Sequence, residues 1–283
     1  MWSFPARLVF RLLLRLPALT LILSLLVCYA PGFDSDERQL DLRLSTESLE
    51  QLKTEQAERR NPLHTWGRLL RGDLGYSESF ARPVTELLAE RIPVTLQAAG
   101  TGLLLGWVPA ALPWLCAALF GFRLLVTTCK VLAGVLICVP AALLAFFGVL
   151  SNLPAALAIG AIIFARVYPY LHRIFAQTLE LSHILSARGL GLSHRRLFLR
   201  HVLPVAGPQI AAVLAGSVTI SLGAAVPVEV ICDSPGLGQL AWRATLGRDL
   251  PVLLSVTLVI STLAIAASSW SDTQVRVNGE QAT

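Results

Sequence analysis

Residues 131–165 read VLAGVLICVPAALLAFFGVLSNLPAALAIGAIIFA, 35 positions without one charged side chain. A helix needs about 20 apolar residues to cross a hydrocarbon core of roughly 30 Å, so this run is too long for a single comfortable span. Ser151-Asn152-Leu153-Pro154 supplies turn chemistry at its centre and divides it into two spans. Lipid offers no partner to an open backbone N–H or C=O, so both must be helices. Three further charge-free runs flank this one: Ile92–Phe122, Val202–Val228 and Pro251–Ser271, of 31, 27 and 21 residues. With the apolar Leu8–Ala30 they give spans at 8–30, 94–118, 126–149, 154–172, 206–230 and 251–270. The expected fold class is all-α, a polytopic membrane protein with six transmembrane helices.

Composition agrees. Of 283 residues, 54% are hydrophobic and only 14% charged, where soluble domains carry about 25% charged residues. That excludes a disordered chain, a collagen-like chain and a disulfide scaffold, and it argues against an ordinary soluble enzyme. The net charge of +5 is explained by where the charges lie. With the N-terminus inside, the inner segments hold Arg7, Arg11, Arg15, Arg123, Lys130, Arg166, Arg173, Arg188, Arg195, Arg196, Arg200 and Arg276 against Glu180, Asp272 and Glu280, a balance of +9. The stretch 31–91, placed outside, has nine basic and twelve acidic residues, a balance of −3. This asymmetry is what the positive-inside rule expects, so the basic charge marks orientation and nucleic-acid binding drops out. The first span admits two readings: a signal peptide ending at Cys28-Tyr29-Ala30, or a retained span whose arginines snorkel to the headgroups. The chain then divides into an N-terminal helix 1–30, an outer helical segment 31–91, a transmembrane domain 92–270 and an inner tail 271–283.

The outer segment is acidic and leucine-punctuated, with Leu40, Leu42, Leu44, Leu49 and Leu52 as an apolar stripe and Ser45 or Thr46 as N-cap. After Trp66 it changes to a glycine-punctuated turn through Gly72-Asp73-Leu74-Gly75-Tyr76-Ser77. The longest inner loop, 173–205, contains Ser186-Ala187-Arg188-Gly189-Leu190-Gly191-Leu192-Ser193 and reads as a polar helix, a Gly-x-Gly break and a basic helix ending at Leu203-Pro204. Neither Lys53 nor Lys130 stands in a phosphate-binding Gly-Lys-Ser/Thr context. The five cysteines (28, 116, 129, 138, 232) show no metal-ligand spacing, and none of the histidines has a carboxylate partner suited to catalysis. Pro109, Pro113 and Pro140 fall within spans, where proline kinks a helix. Glu229 lies near the outer end of the fifth span, either paired with Arg243 or Arg248 or reaching headgroup water.

Three separated motifs resemble the permease subunits of ATP-binding-cassette importers, and in particular their dipeptide, oligopeptide and nickel branch. Ala187-Arg188 followed by Gly191, with Leu203-Pro204 downstream, resembles the cytoplasmic signature of these permeases. Gly72-Asp73-Leu74-Gly75-x-Ser77 ahead of Arg91-Ile92-Pro93-x-Thr95-Leu96 is similar to the branch's outer-segment motif. Glu229, Pro235-Gly236-Leu237-Gly238 and Arg248-Asp249-Leu250-Pro251 resemble its last outer loop. The pattern departs at Gly189, Leu190 and His201, and no Asp-Pro-Arg follows Trp270.

The resemblance implies a type I importer fold and a retained first span in a bacterial inner membrane. It also implies a mechanism that needs other chains: a second homologous permease, two ATPase subunits, an extracytoplasmic solute-binding protein and membrane lipid. The chain itself would bind no cofactor, hold no metal and perform no catalysis, ATP being used by the partner subunits. Ala187, Arg188, Gly189, Gly191, Leu192 and Ser193 would form the contact with the ATPase, and Leu203-Pro204 the hinge into the fifth span. Gly72, Asp73, Leu74, Gly75 and Ser77 would shape an outer platform, and Glu229, Pro235, Gly236, Gly238, Arg248 and Asp249 the last outer loop. The expected cargo is a small peptide, with nickel chelates or another small solute as the alternative. A secondary transporter would need an intramembrane ionisable residue for ion coupling and often inverted repeats, but no acid lies mid-membrane in any span and no repeat is seen; a membrane scaffold is the remaining rival.

Overall fold

A short hairpin leads into the first long apolar helix. In the computed structural model, β1 (Tyr76–Ser77) and β2 (Arg82–Pro83) pair antiparallel, with Tyr76 opposite Pro83. Helix α1 (Val84–Phe120) follows directly. The description covers residues 71–280 together with Pro17, Ala18, Leu21, Ile22, Leu25 and Gly67, with the side chains of Arg123 and 270–280 left aside. The rest of the expected first span, the helical reading of 31–66 with its cap at Ser45 or Thr46, and the end of the tail lie outside the described residues. Two compact units are distinguished: Met1–Arg91 with Leu240–Thr262, and Ile92–Gln239 with Leu263–Thr283.

In the first unit the start of α1 buries Val84, Leu87 and Leu88, and the start of helix α9 (Leu250–Glu280) buries Val252, Leu254 and Val256. In the second unit the elements after α1 are α2 (Arg123–Cys138), α3 (Ala141–Leu150), α4 (Ala155–Leu179) and α5 (Ser182–Gly189). Then come α6 (His194–Leu197), a π-helical turn (Phe198–Val202), α7 (Leu203–Ile231) and α8 (Leu237–Leu246), whose residues from Leu240 on are counted with the first unit. Helix α4 is the hub: its Ile159, Ile163, Val167, Tyr168 and Leu171 are all at most 1% exposed. Apolar side chains elsewhere, such as Leu104, Val108, Leu124 and Val131, stay exposed, as expected of surface that meets lipid.

Helices α1 and α4 pack almost backbone to backbone. A Cβ added at Gly106 would stand 2.6 Å from Ile163 Cβ, and one at Gly160 would stand 2.9 Å from Leu105 Cβ. Small residues four apart, Gly102 and Gly106, let two helices approach closely where no hydrophobic effect drives them together. Trp107 Nε1 donates to Ser217 Oγ at 2.8 Å, and Ser221 Oγ donates to Ala99 O at 2.6 Å, tying α1 to α7.

Among the described residues four helical stretches are long and apolar enough to cross a membrane: Val84–Phe120, Ala155–Leu179, His194–Ile231 and Leu250–Ser269. The span expected at 126–149 is not one straight helix. It is the broken pair α2–α3, bent by 101°. Pro140 is the cause: it cannot donate to a helix, and it drives the preceding Val139 to an extended φ of −84° and ψ of 124°. Neither piece alone is sufficient, since 16 and 10 residues of helix are only about 24 and 15 Å long. The turn at 151–154 does separate two helices, as its sequence predicts, with Asn152 in the left-handed region at φ +51°.

The expected helix end at Leu203-Pro204 is corrected. The helix that starts at His194 continues to Ile231. Pro204 lacks the N–H that would bond Arg200 O, and its ring crowds that carbonyl. The chain accommodates it with a π turn immediately upstream, in which Leu203 N donates to Phe198 O, five residues back.

Candidate functional site

The functional motifs form three clusters, the first of which joins the two outer motifs that the sequence keeps apart. Gly72 and Gly75 take φ values of +78° and +79°, a region open to glycine, and Gly75 N donates to Asp73 Oδ1 at 3.0 Å. This turn aims the chain so that Ser77, fully buried, donates its hydroxyl to Asp249 Oδ2 at 2.5 Å. The two residues are 172 positions apart. Ser79 N reaches the same oxygen at 3.2 Å, and Val252 N donates to Asp249 Oδ1 at 3.3 Å. Asp249 is thus the N-cap of α9 and the acceptor of the hairpin turn at once, 4% exposed. Leu74 is half-buried, while Arg248 beside the aspartate is exposed with φ +52°. Arg82 closes the hairpin edge, donating to Glu90 Oε1 at 2.6 Å and to Glu86 at 3.4 Å. The hydrogen bond to Glu90, and then that carboxylate's charge, raise the Arg82 pKa still further above its usual value.

The second cluster gathers Glu229, the Pro235-Gly236-Leu237-Gly238 tract and Thr95. Glu229 has no exposed surface, so the expectation that it reaches headgroup water is corrected. The alternative, an arginine partner, is replaced by local ones: Gly238 N donates to Glu229 Oε2 at 2.7 Å, and the Thr95 hydroxyl bonds the same carboxyl group. Thr95 in turn accepts from Leu237 N at 2.8 Å. The carboxyl group lies flat against Gly236, where any Cβ would overlap it. A Cβ at Gly238 would overlap the Val226 carbonyl. Pro235 is exposed at the head of the tract, and Gln239 Nε2 donates to Asp233 Oδ1 beside it. The motif glycines are therefore contact residues: the loop touches α7 through bare backbone.

The third cluster is the loop between α4 and α7. Ile184 and Ala187 are buried and anchor α5, while Arg188, Gly189, Leu190 and Gly191 are exposed. Leu190 N donates to Ser186 O and Gly191 N to Arg188 O, both at 3.1 Å, and Gly191 reverses the chain at φ +78°. Leu192 is half-buried, Ser193 is the exposed N-cap position of α6, and Leu203 and Pro204 lie exposed on the helix that follows. Among residues 181–201 there is no acid, and Arg188, Arg195, Arg196 and Arg200 are all exposed. The loop is a basic, tightly turned projection fastened by its apolar side.

Sequence reasoning found the motifs but not all their members. The sequence motif contains Thr95 but gives no sign of its bonding role, and nothing in the motif marks Ser79. A Ser-x-Ser pair after a glycine turn was the available signal for the second.

Comparison with known proteins gives the arrangement a family. The chain matches, over residues 93–276, the family described as the binding-protein-dependent transport system inner membrane component. A peptide permease protein of Brucella suis biovar 1 is 25% identical over 235 residues, covering 73% of this chain and 74% of that protein. A peptide transport system permease protein of Brucella abortus is 28% identical over 220 residues, with coverage of 69% and 70%. The oligopeptide transport system permease protein OppB of Escherichia coli K12 is 34% identical over 95 residues, 31% of this chain and 28% of that one. The match extends from Pro93, within α1, almost to the end of α9, and all three clusters have members inside it. The chain belongs to the inner-membrane components of binding-protein-dependent transport systems, the permease subunits of ABC importers.

Proposed function

We propose that this permease forms half of a translocation path for small peptides and is driven by ATPase subunits that grip the loop 186–204. Its partners are a second permease, two ATPase subunits and an extracytoplasmic binding protein, with the N-terminus and the loop on the cytoplasmic side. The observation that carries this reading is the shape of the loop: Ala187 is held in the core while Arg188–Gly191 turn outward on a glycine. A loop fastened to two long spans and exposed at its tip converts a push on the tip into movement of α4 and α7. The names of the relatives from Brucella and Escherichia coli support peptides as the cargo. The Ser77–Asp249 and Glu229–Gly238 bonds would then stiffen the side that receives the loaded binding protein.

Gly191→Arg tests the reading. In proteoliposomes containing the full complex, ATP hydrolysis stimulated by peptide-loaded binding protein is expected to fall more than tenfold, while the two permeases still co-purify. Unchanged stimulated hydrolysis would sink the assignment of the loop. Screening peptides against nickel chelates in the same assay identifies the cargo.

A further inference from the structure

The loop's basic tip is exposed, yet the residue just past it points the other way into an aromatic column. Phe198, the first residue of the π turn, is 7% exposed and meets Phe175 with ring centroids 5.4 Å apart. Phe175 meets Trp114 of α1 at 4.9 Å, and Trp114 meets His172 at 5.4 Å. His172 stacks on Tyr168 at 6.3 Å and 21°, and Tyr168 meets Phe164 at 5.5 Å. All of these separations lie within the range of favourable ring pairs. The Tyr168 hydroxyl then donates to Val126 O of α2 at 2.6 Å. Positions 164, 168, 172 and 175 recur at helical spacing on one face of α4, so the column runs for about 16 Å along that helix. One connected set of rings therefore touches the π turn, α4, α1 and α2.

Two features mark the column as more than filling. The π turn at its end holds one residue beyond what an α-helix would place there, and single π turns within α-helices are frequent at functional sites. At the Trp114–His172 contact, Trp114 Nε1 and His172 Nδ1 are both buried and have no hydrogen-bond partner. An indole N–H is a donor, and an imidazole Nδ1 accepts in the Nε2–H tautomer, so in that tautomer these two tilted rings carry a donor and an acceptor that are both unmet. Buried groups left unpaired are costly and are rarely left so in a settled core.

We propose that the column Phe198–Phe175–Trp114–His172 is the transmission between the loop and helix α1, with the π turn as its switching element. In the alternative state the π turn is redrawn, Phe198 shifts against Phe175, and Trp114 rotates to donate to His172. Phe198, Phe175 and Trp114 are positioning residues in this scheme. The proposal rests on the reading that ATPase subunits grip the loop, and the test separates the two.

Spin labels at Leu112→Cys on α1 and Leu132→Cys on α2, both exposed sites outside the column, report the distance between these helices. The full complex is measured in nanodiscs without nucleotide and after trapping with ATP and orthovanadate. The unmodified complex is expected to change distance on trapping. Phe198→Leu should abolish that change while trapping of nucleotide by the ATPase subunits persists, and Phe198→Tyr, which keeps the ring, should restore it. His172→Phe keeps the stack but removes the acceptor, and should leave the trapped population divided between two distances. Core packing alone would make all of these variants less stable without touching the nucleotide-dependent change. A distance change that survives in Phe198→Leu overturns the column, as does an unmodified complex whose labels never move. If the change also survives in Gly191→Arg, it is the grip on the loop that fails.

Discussion

At Gly236 the difference between hydrogen and methyl decides whether the last outer loop can close. The Glu229 carboxyl occupies the volume a Cβ would need, and it is held there by Gly238 N and the Thr95 hydroxyl. Gly236→Ala must displace a buried carboxyl group from its partners. We expect a loss of about 1–3 kcal/mol, the ordinary cost of overpacking, seen as a lower thermal midpoint in detergent. Glu229→Ala in the Gly236→Ala background should recover part of it, because the overlap is then gone; an unchanged midpoint in the single variant would contradict the contact. The motif was legible in the sequence as a string of glycines around a proline. Its physical reason was not, because the group that forbids a side chain at 236 lies seven residues earlier and turns inward only in the folded loop. The same limit explains Glu229 itself. Sequence supplies arginines 243 and 248 as tempting partners, while the backbone amides that outcompete them have no sequence signature.

At the level of elements, the same residue type, proline, breaks one helix and is absorbed by another. The charge-free run 131–165 was divided correctly at Asn152-Leu153-Pro154, because turn residues there coincide with the length limit of a span. Pro140 and Pro204 offer the same local chemistry with different outcomes. The first breaks a span into α2 and α3, and the second sits in a helix that runs on past a π turn. What distinguishes them is packing: Phe198 and Val202 on the π turn are buried and hold the helix together across the proline, whereas exposed Ile137 lies just ahead of the break at Pro140. Pro140→Ala restores a backbone donor and frees Val139 from its extended preference. Spin labels at Leu125 and Leu150 are therefore expected to separate in that variant as the bend relaxes toward one helix. An unchanged separation would mean that the bend is imposed by the helices around it.

For the molecule as a whole, the sequence made the membrane class and the family legible, since charge-free length and three ordered motifs survive without any knowledge of contacts. The pairing of the first and last outer motifs was beyond it, because their meeting depends on every element between them. That pairing, Ser77 on Asp249 at 2.5 Å, also sets an arithmetic of sides. Two residues that meet on one side of a membrane are separated by an even number of crossings. Between them lie three helices long and apolar enough to cross, α1, α4 and α7; if each crosses once, the bent pair α2–α3 is expected to supply a fourth crossing rather than dip in and return. On that count Asn152 is expected to be reached from the same side as Ser79, and the Gly191 turn from the other. In oriented vesicles, an impermeant thiol reagent should modify Asn152→Cys and Ser79→Cys from one side and Ser193→Cys only from the other. A single hydroxyl–carboxylate contact thus serves as a parity check on the path of the entire chain through the bilayer.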